Sequence, residues 1–125
     1  MRLLLDTHVL LWSLAGHPKI RRVSSRLLDD DNQVFFSVAS LWEVAIKSGI
    51  GKLDADVAQV RAAARMSGFE ELPVLGSHIE ALAGLPEFHR DPFDRLLVAQ
   101  AVAEPMQLLT ADTSVALYGS CVELI

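Results

Sequence analysis

The sequence predicts an α/β protein, a three-layer α/β/α sandwich around a five-stranded parallel sheet. Three observations predict it. Five short apolar runs are each followed by a segment with helical spacing, or by the chain's end. Strands separated by helices imply parallel pairing through crossover connections. The 125 residues, 51 % of them hydrophobic, suffice for one core, and no repeat, low-complexity tract or linker divides them. The expected organisation is a single domain spanning 1–125, within the ordinary domain range of about 100–150 residues.

The elements follow in order. "RLLLD" (2–6) is a short apolar run of the kind a buried strand requires. "THVLLWSLAG" continues as a helix that Gly16 can stop. "SSRLLDD" is a polar helix running into the solvated acidic turn Asp29, Asp30, Asp31, Asn32. "QVFFS" (33–37) is the second strand. "ASLWEVAIKSGIGKL" is a helix with Leu41, Val44, Ala45 and Ser48 on one face, closed by Gly49 and Gly51. "DADVAQVRAAARMSG" is an alanine-rich helix, "FEELPV" a weaker third strand and "SHIEALAGLP" a short helix. "DPFDRLLVAQAVAEP" is a strong helix opened by Asp91-Pro92 and ended before Pro105. "MQLLT" (106–110) is the fourth strand, "ADTSVALYG" a short helix and "CVELI" the fifth strand.

Bulk properties narrow the function. The formal charge of −5 lacks the broad basic footprint of a non-specific nucleic-acid binder. Nucleic-acid chemistry would need local cations or bound metal. Cys121 is the only cysteine, which excludes an intrachain disulfide; it is expected as a small buried hydrophobe. No apolar run approaches the ~20 residues of a membrane span. Asp6 and His8 interrupt the N-terminal apolar stretch, so it does not fit a signal sequence. A cytoplasmic protein that keeps its N-terminus is expected.

Four acids stand out. Asp6 closes the first strand, and Asp112 follows the fourth by two residues. Glu43 lies about a turn into the helix after the second strand, and Asp94 lies in the first turn of the helix leading to the fourth. Each has a structural reading. Asp6 and Asp112 fit N-caps, Ser40-x-x-Glu43 a capping box, and Asp91-Pro92-x-Asp94 a cap followed by a dipole-favoured acid. Capping, however, does not require acids to converge on one sheet edge, where ligands of such folds bind. Converging acids repel unless a cation lies between them. Mg2+ or Mn2+, hard ions with oxygen ligands, fit that role. His8, His17, His78 and His89 lack zinc-type spacing.

"LLLDTHVLLW", "SVASLWEVAIK", "HRDPFDRLLVAQA" and "LLTAD" together resemble the signature segments of the PIN domain, and within it the VapC toxins of type II toxin–antitoxin systems. The resemblance runs nearly end to end. It implies a five-stranded parallel sheet with strands one and four adjacent. It also implies a Mg2+- or Mn2+-dependent endoribonuclease whose catalytic and metal-holding acids are Asp6, Glu43, Asp94 and Asp112. Asp91 is then the helix cap or a supporting residue. Thr7, Thr110 and Arg95 flank the acids as candidates for supporting or substrate contacts, with an ordinary helix-start or strand-end role as the alternative for the two threonines. The implied partners are RNA as substrate, a VapB-type antitoxin, a second copy in a homodimer, and operator DNA reached through the antitoxin.

Other residues have plainer expectations. Arg90, Arg95, Lys47 and the "HPKIRR" stretch with Arg26 are read as solvated or salt-bridged, with phosphate or antitoxin contact as the alternative. Trp12 and Trp42 are expected in the core, with an interface as the alternative. A dehalogenase-type phosphotransfer site would need an aspartate where His8 stands. "GIGKL" lacks the phosphate-loop spacing and follows a helix. A non-catalytic PIN-like scaffold is the remaining rival, and four intact acids argue against it.

Overall fold

The first strand reads as a run of leucines because both of its faces are buried. In the computed structural model, which describes residues 1–125, Arg2–Leu5 forms β1 at the centre of a parallel sheet. β2 (Gln33–Ser37) and β4 (Gln107–Thr110) flank it, with β3 (Glu70–Leu72) and β5 (Val122–Leu124) outside, giving the order β3-β2-β1-β4-β5. All four pairings are parallel, with Leu5 opposite both Phe36 and Leu109. The family-implied adjacency of strands one and four is therefore present.

Alternate strand residues feed two cores, as the pleat requires. Leu3, Leu5, Val34, Phe36 and Leu109 pack with Val9 and Leu10 of α1 (Thr7–Ala15), Val23, and Ala64 of α4 (Val57–Met66). Leu4, Phe35, Leu72 and Leu108 pack on the other side with Leu96, Leu97 and Ala101 of α6 (Pro92–Ala103). α3 (Val38–Gly49) gives Leu41 to one core and Ala39 to the other. α2 (Ser24–Leu28) and α5 (Gly76–Ala83) complete the helices.

Several boundaries differ from expectation. Ser37, not Ser40, caps α3: its hydroxyl accepts from the Ala39 amide at 2.9 Å, and Ser40 lies buried inside the helix. No Ser40–Glu43 capping box is needed, because β2 runs straight into the helix. "ADTSVALYG" forms only a 3-10 turn, Val115–Tyr118, too short for an α-helix to be worth nucleating. On α3, Ala45 and Trp42 face outward, Trp42 at 58 % exposure, so the expected core role of Trp42 does not hold. Its ring instead meets Phe93 edge-on, 5.1 Å between centroids. Cys121 is only partly buried, at the margin of the second core, where burial still pushes its thiol pKa up.

A buried polar chain fixes α3 against α6. Ser37 Oγ donates to Gln100 Oε1 at 2.6 Å, and Gln100 Nε2 lies 3.3 Å from both Pro73 O and His78 Nδ1. His78 Nδ1 accepts from the Leu75 amide, so its proton sits on Nε2, facing Glu104 Oε2 at 2.6 Å. Each buried group thus has a partner, which is what makes such a network tolerable inside a core. The network ties the start of the helix carrying Glu43 to the helix carrying Asp94.

Candidate active site

Asp6 leaves the end of β1 and caps α1, so capping and site-building are done by one side chain. Oδ1 accepts from the Val9 amide at 2.8 Å, while Oδ2 accepts from Thr110 Oγ1 at 2.5 Å. Thr110 ends the adjacent β4, and its hydroxyl oxygen also accepts from the Asp112 amide at 3.1 Å. Asp6 is 4 % exposed. Burial outweighs these hydrogen bonds and holds its carboxyl pKa above the usual range.

Glu43 is 3 % exposed. Its Oε2 takes an ion pair from Lys47 Nζ at 2.5 Å, one turn along α3, while Oε1 is buried without a hydrogen-bond partner. A buried, unpartnered carboxylate oxygen is expensive unless something pairs with it. Lys47 has its own pKa raised, first by this hydrogen bond and also by the charges of Glu43, Asp91 and Asp94. It is therefore a salt-bridged residue belonging to the acid cluster.

Asp94 lies in the first turn of α6, and Asp91 before it is the cap. Asp91 Oδ1 accepts from the amides of Phe93 and Asp94 at 2.9 and 3.0 Å, with Pro92 at the first helical position. Asp94 takes no part in capping. Its pKa is pushed up to about 6, chiefly by burial, then by the charges of Asp91, Asp6 and Glu43. The structure thus brings Asp6, Glu43 and Asp94 within electrostatic reach at one edge of the sheet. Asp91→Ala should be about 1 kcal/mol less stable to urea than Asp91→Ser, which loses the same charge but keeps a capping hydroxyl.

Asp112 sits differently. It is exposed, and its Oδ1 accepts from the Ser114 amide at 2.9 Å and the Ser114 hydroxyl at 2.6 Å, which lowers its pKa. It still shares a cleft of about 230 Å³ with Asp6, lined also by His8, Trp12, Lys19 and Ala111. Thr7 Oγ1 donates to Ser40 Oγ at 2.9 Å, joining the residue after Asp6 to the helix of Glu43. Arg95 is committed elsewhere: it donates to Pro86 O and to the Tyr118 hydroxyl, both at 2.9 Å. Arg26 pairs with Glu123, far along the chain.

Two residues near Asp94 escaped the sequence reading. His89 Nε2 lies 3.5 Å from Asp94 Oδ2, and His89 Nδ1 is 2.9 Å from the Tyr118 hydroxyl. His89 lies only three positions before the helix, but Tyr118 comes from the 3-10 turn near the end of the chain. No spacing signal could have linked them.

The PIN domain family model matches residues 3–119. The chain belongs to the PIN domain family. PIN domains are generally nucleases. Three solved structures share this PIN fold. VapBC2 from Rickettsia felis, solved bound to a DNA fragment from its promoter, superposes at TM-score 0.72 with 19 % identity over all of this chain and 98 % of the other. VapBC-1 from nontypeable Haemophilus influenzae gives 0.65 and 18 %, covering 94 % of this chain and 92 % of that one. FitAcB from Neisseria gonorrhoeae gives 0.61 and 20 %, covering 93 % and 91 %. No curated protein matches the sequence at a significant level.

The donor chemistry of this PIN domain fits a hard divalent cation. The donors are carboxylate oxygens, one of them buried and unpartnered, and the charges of Asp91, Asp6 and Glu43 disfavour ionisation of Asp94. They stand apart rather than in a closed cage: no three ligating side chains are grouped tightly enough to surround an ion on their own. The fit to such an ion is therefore one of donor chemistry, not of an assembled cage.

Proposed function

We propose that this PIN domain is a metal-dependent endoribonuclease, the toxin of a VapBC-type toxin–antitoxin pair. The observation that carries the reading is the meeting of buried Asp6 and Glu43 with partly buried Asp94 at one edge of a PIN sheet, with Asp112 in the cleft beside Asp6. Asp6, Glu43, Asp94 and Asp112 would hold Mg2+ or Mn2+. A bound ion supplies Lewis-acid polarisation of a phosphate and a lowered pKa for a water.

The chain's own residues prepare the site. Thr110 and the Val9 amide fix the two oxygens of Asp6. Lys47 fixes one oxygen of Glu43 and leaves the other free to ligate. Asp91 locks the first turn of α6 and so the direction in which Asp94 projects. His89, braced by Tyr118, stands beside Asp94.

The toxin reading draws on the VapBC complexes among the similar folds. In it, a VapB-type antitoxin silences the enzyme, operator DNA is reached through that antitoxin, and two copies form a homodimer. The apolar stripe formed by Trp42 and Ile46 on the outer side of α3 and by Ile50 just past its end is exposed, as a surface to be covered by a partner would be. We place its action in the cytoplasm; no helix is long and apolar enough to cross a membrane.

The test is cleavage of end-labelled total and transfer RNA by antitoxin-free protein in Mg2+, Mn2+ or EDTA. Discrete cuts that need metal are expected. Folded protein that cuts no RNA in either metal would contradict the reading.

A further inference from the structure

We infer that the cleft beside Asp6 is a nucleobase-stacking subsite, in which the exposed His8 ring, backed by Trp12, receives an unpaired base of single-stranded RNA and Lys19 takes an adjoining phosphate. This rests on the ribonuclease reading and deepens it by stating how an acidic chain can hold its substrate.

The shelf is built by the local fold. Trp12 packs partly onto the core beneath α1, which makes its ring a rigid surface. Gly16 adopts φ +65°, a left-handed turn that side-chain-bearing residues disfavour, and sends the chain back across α1. His17 then bonds the Trp12 carbonyl through its amide at 2.9 Å, and its ring stacks on Trp12 with centroids 5.3 Å apart and planes 26° apart. His17 Nδ1 accepts from the Lys19 amide at 3.1 Å, opening the 3-10 turn that sets the Lys19 ammonium over the Trp12 ring, 4.8 Å from its centroid. His8, exposed on the first turn of α1, continues the aromatic row 5.9 Å from Trp12.

His8 also stands on a ridge. On one side is the cleft with Asp6, Trp12, Lys19 and Asp112. On the other is a second cleft, about 300 Å³, with Glu43, Lys47 and Lys52. A strand crossing the ridge would pass from one set of lysines, over the acids, to the aromatic shelf. Aromatic faces flanked by cations are how proteins hold unpaired nucleotides with little sequence preference. A double helix keeps its bases stacked inward and would gain nothing from the shelf.

The test uses the full chain carrying Asp94→Asn, to prevent cleavage, and Trp42→Phe, so that Trp12 is the only indole. The probe is a mixed-sequence single-stranded RNA of about a dozen nucleotides, with the matching duplex as control. Binding is followed by anisotropy of labelled RNA and by Trp12 emission. Single-stranded RNA should bind and quench Trp12. His8→Ala and Lys19→Ala, which leave the core untouched, should each weaken binding by about tenfold, with Lys19→Ala also lowering the salt slope by about 0.7. Binding that leaves Trp12 emission and both variants unchanged would overturn the subsite while sparing the nuclease reading. Failure of single-stranded RNA to bind, while the wild-type chain still cuts RNA, would overturn the subsite alone; no binding by the variant and no cutting by the wild type would overturn both.

Discussion

Asp94→Asn should abolish RNA cleavage and, in metal-free buffer near neutral pH, make the protein more stable. The two effects share one cause. Asp94 carries a charge where burial and the charges of Asp91, Asp6 and Glu43 disfavour it. Asparagine is nearly isosteric, keeps the backbone of α6 intact and leaves Asp91 as the cap. It removes the repulsion and, on the proposed reading, also a charge that would hold the metal. Cleavage should fall on the order of a thousandfold, some 4 kcal/mol of lost transition-state stabilisation. Stability to urea should rise by about 1–2 kcal/mol, allowing for screening at a side chain still 20 % exposed. Cleavage that survives the substitution would remove Asp94 from the chemistry. A loss of stability would show that the carboxylate serves the fold.

The second large effect is on the pH dependence of stability. An acid whose folded pKa is raised binds its proton more tightly in the folded chain, so deprotonation works against folding. For Asp94, with its pKa pushed up to about 6 from 3.8, the penalty is absent below pH 3.8 and grows between the two values. It is complete above the upper one. Asp6 acts in the same direction. Asp112 and Glu71, whose pKa values are lowered by Ser114 and by Arg61, lose stabilisation only on acidification through and below the ordinary carboxylate range. The metal-free protein should therefore become less resistant to urea as pH rises from about 4 to about 6.5. The slope should flatten in Asp94→Asn, and Mn2+ should reverse it, because a cation that binds the ionised acids stabilises only the folded chain. Equal slopes in wild type and variant would mean that the acids do not interact as described.

The fold was legible because its strands are buried on both faces and therefore read as plain apolar runs, "RLLL" and "QVFFS" most clearly. β3 gave a weak signal because it is a three-residue edge strand with only Leu72 fully buried. Asp6 and Asp112 could be placed from strand ends alone. Asp94 could be put in the first turn of its helix but not at the sheet edge, because α6 is brought there by packing on the sheet and by the Ser37–Gln100 bond, which no sequence pattern announces. The choice between cap and chemistry was also too sharp: Asp91 is a cap, but Asp6 is a cap whose second oxygen is held by Thr110 and whose charge reaches Glu43 and Asp94. Trp42 looked like core by its hydrophobicity, whereas its angular position on α3 places it outside. The His8–Trp12–Lys19 shelf depends on a left-handed turn at Gly16, which the sequence marked only as a helix stop.

The central claim is that these acids form a divalent-cation site, and calorimetric titration of Mn2+ into the wild-type chain and Asp94→Asn tests it most directly. At about pH 7.5 the wild type should bind saturably, and the variant at least about tenfold more weakly; at about pH 5 wild-type binding should weaken as protons compete for the carboxylates. Wild-type protein that takes up no Mn2+ at neutral pH, or a variant that binds it equally well, would contradict the account.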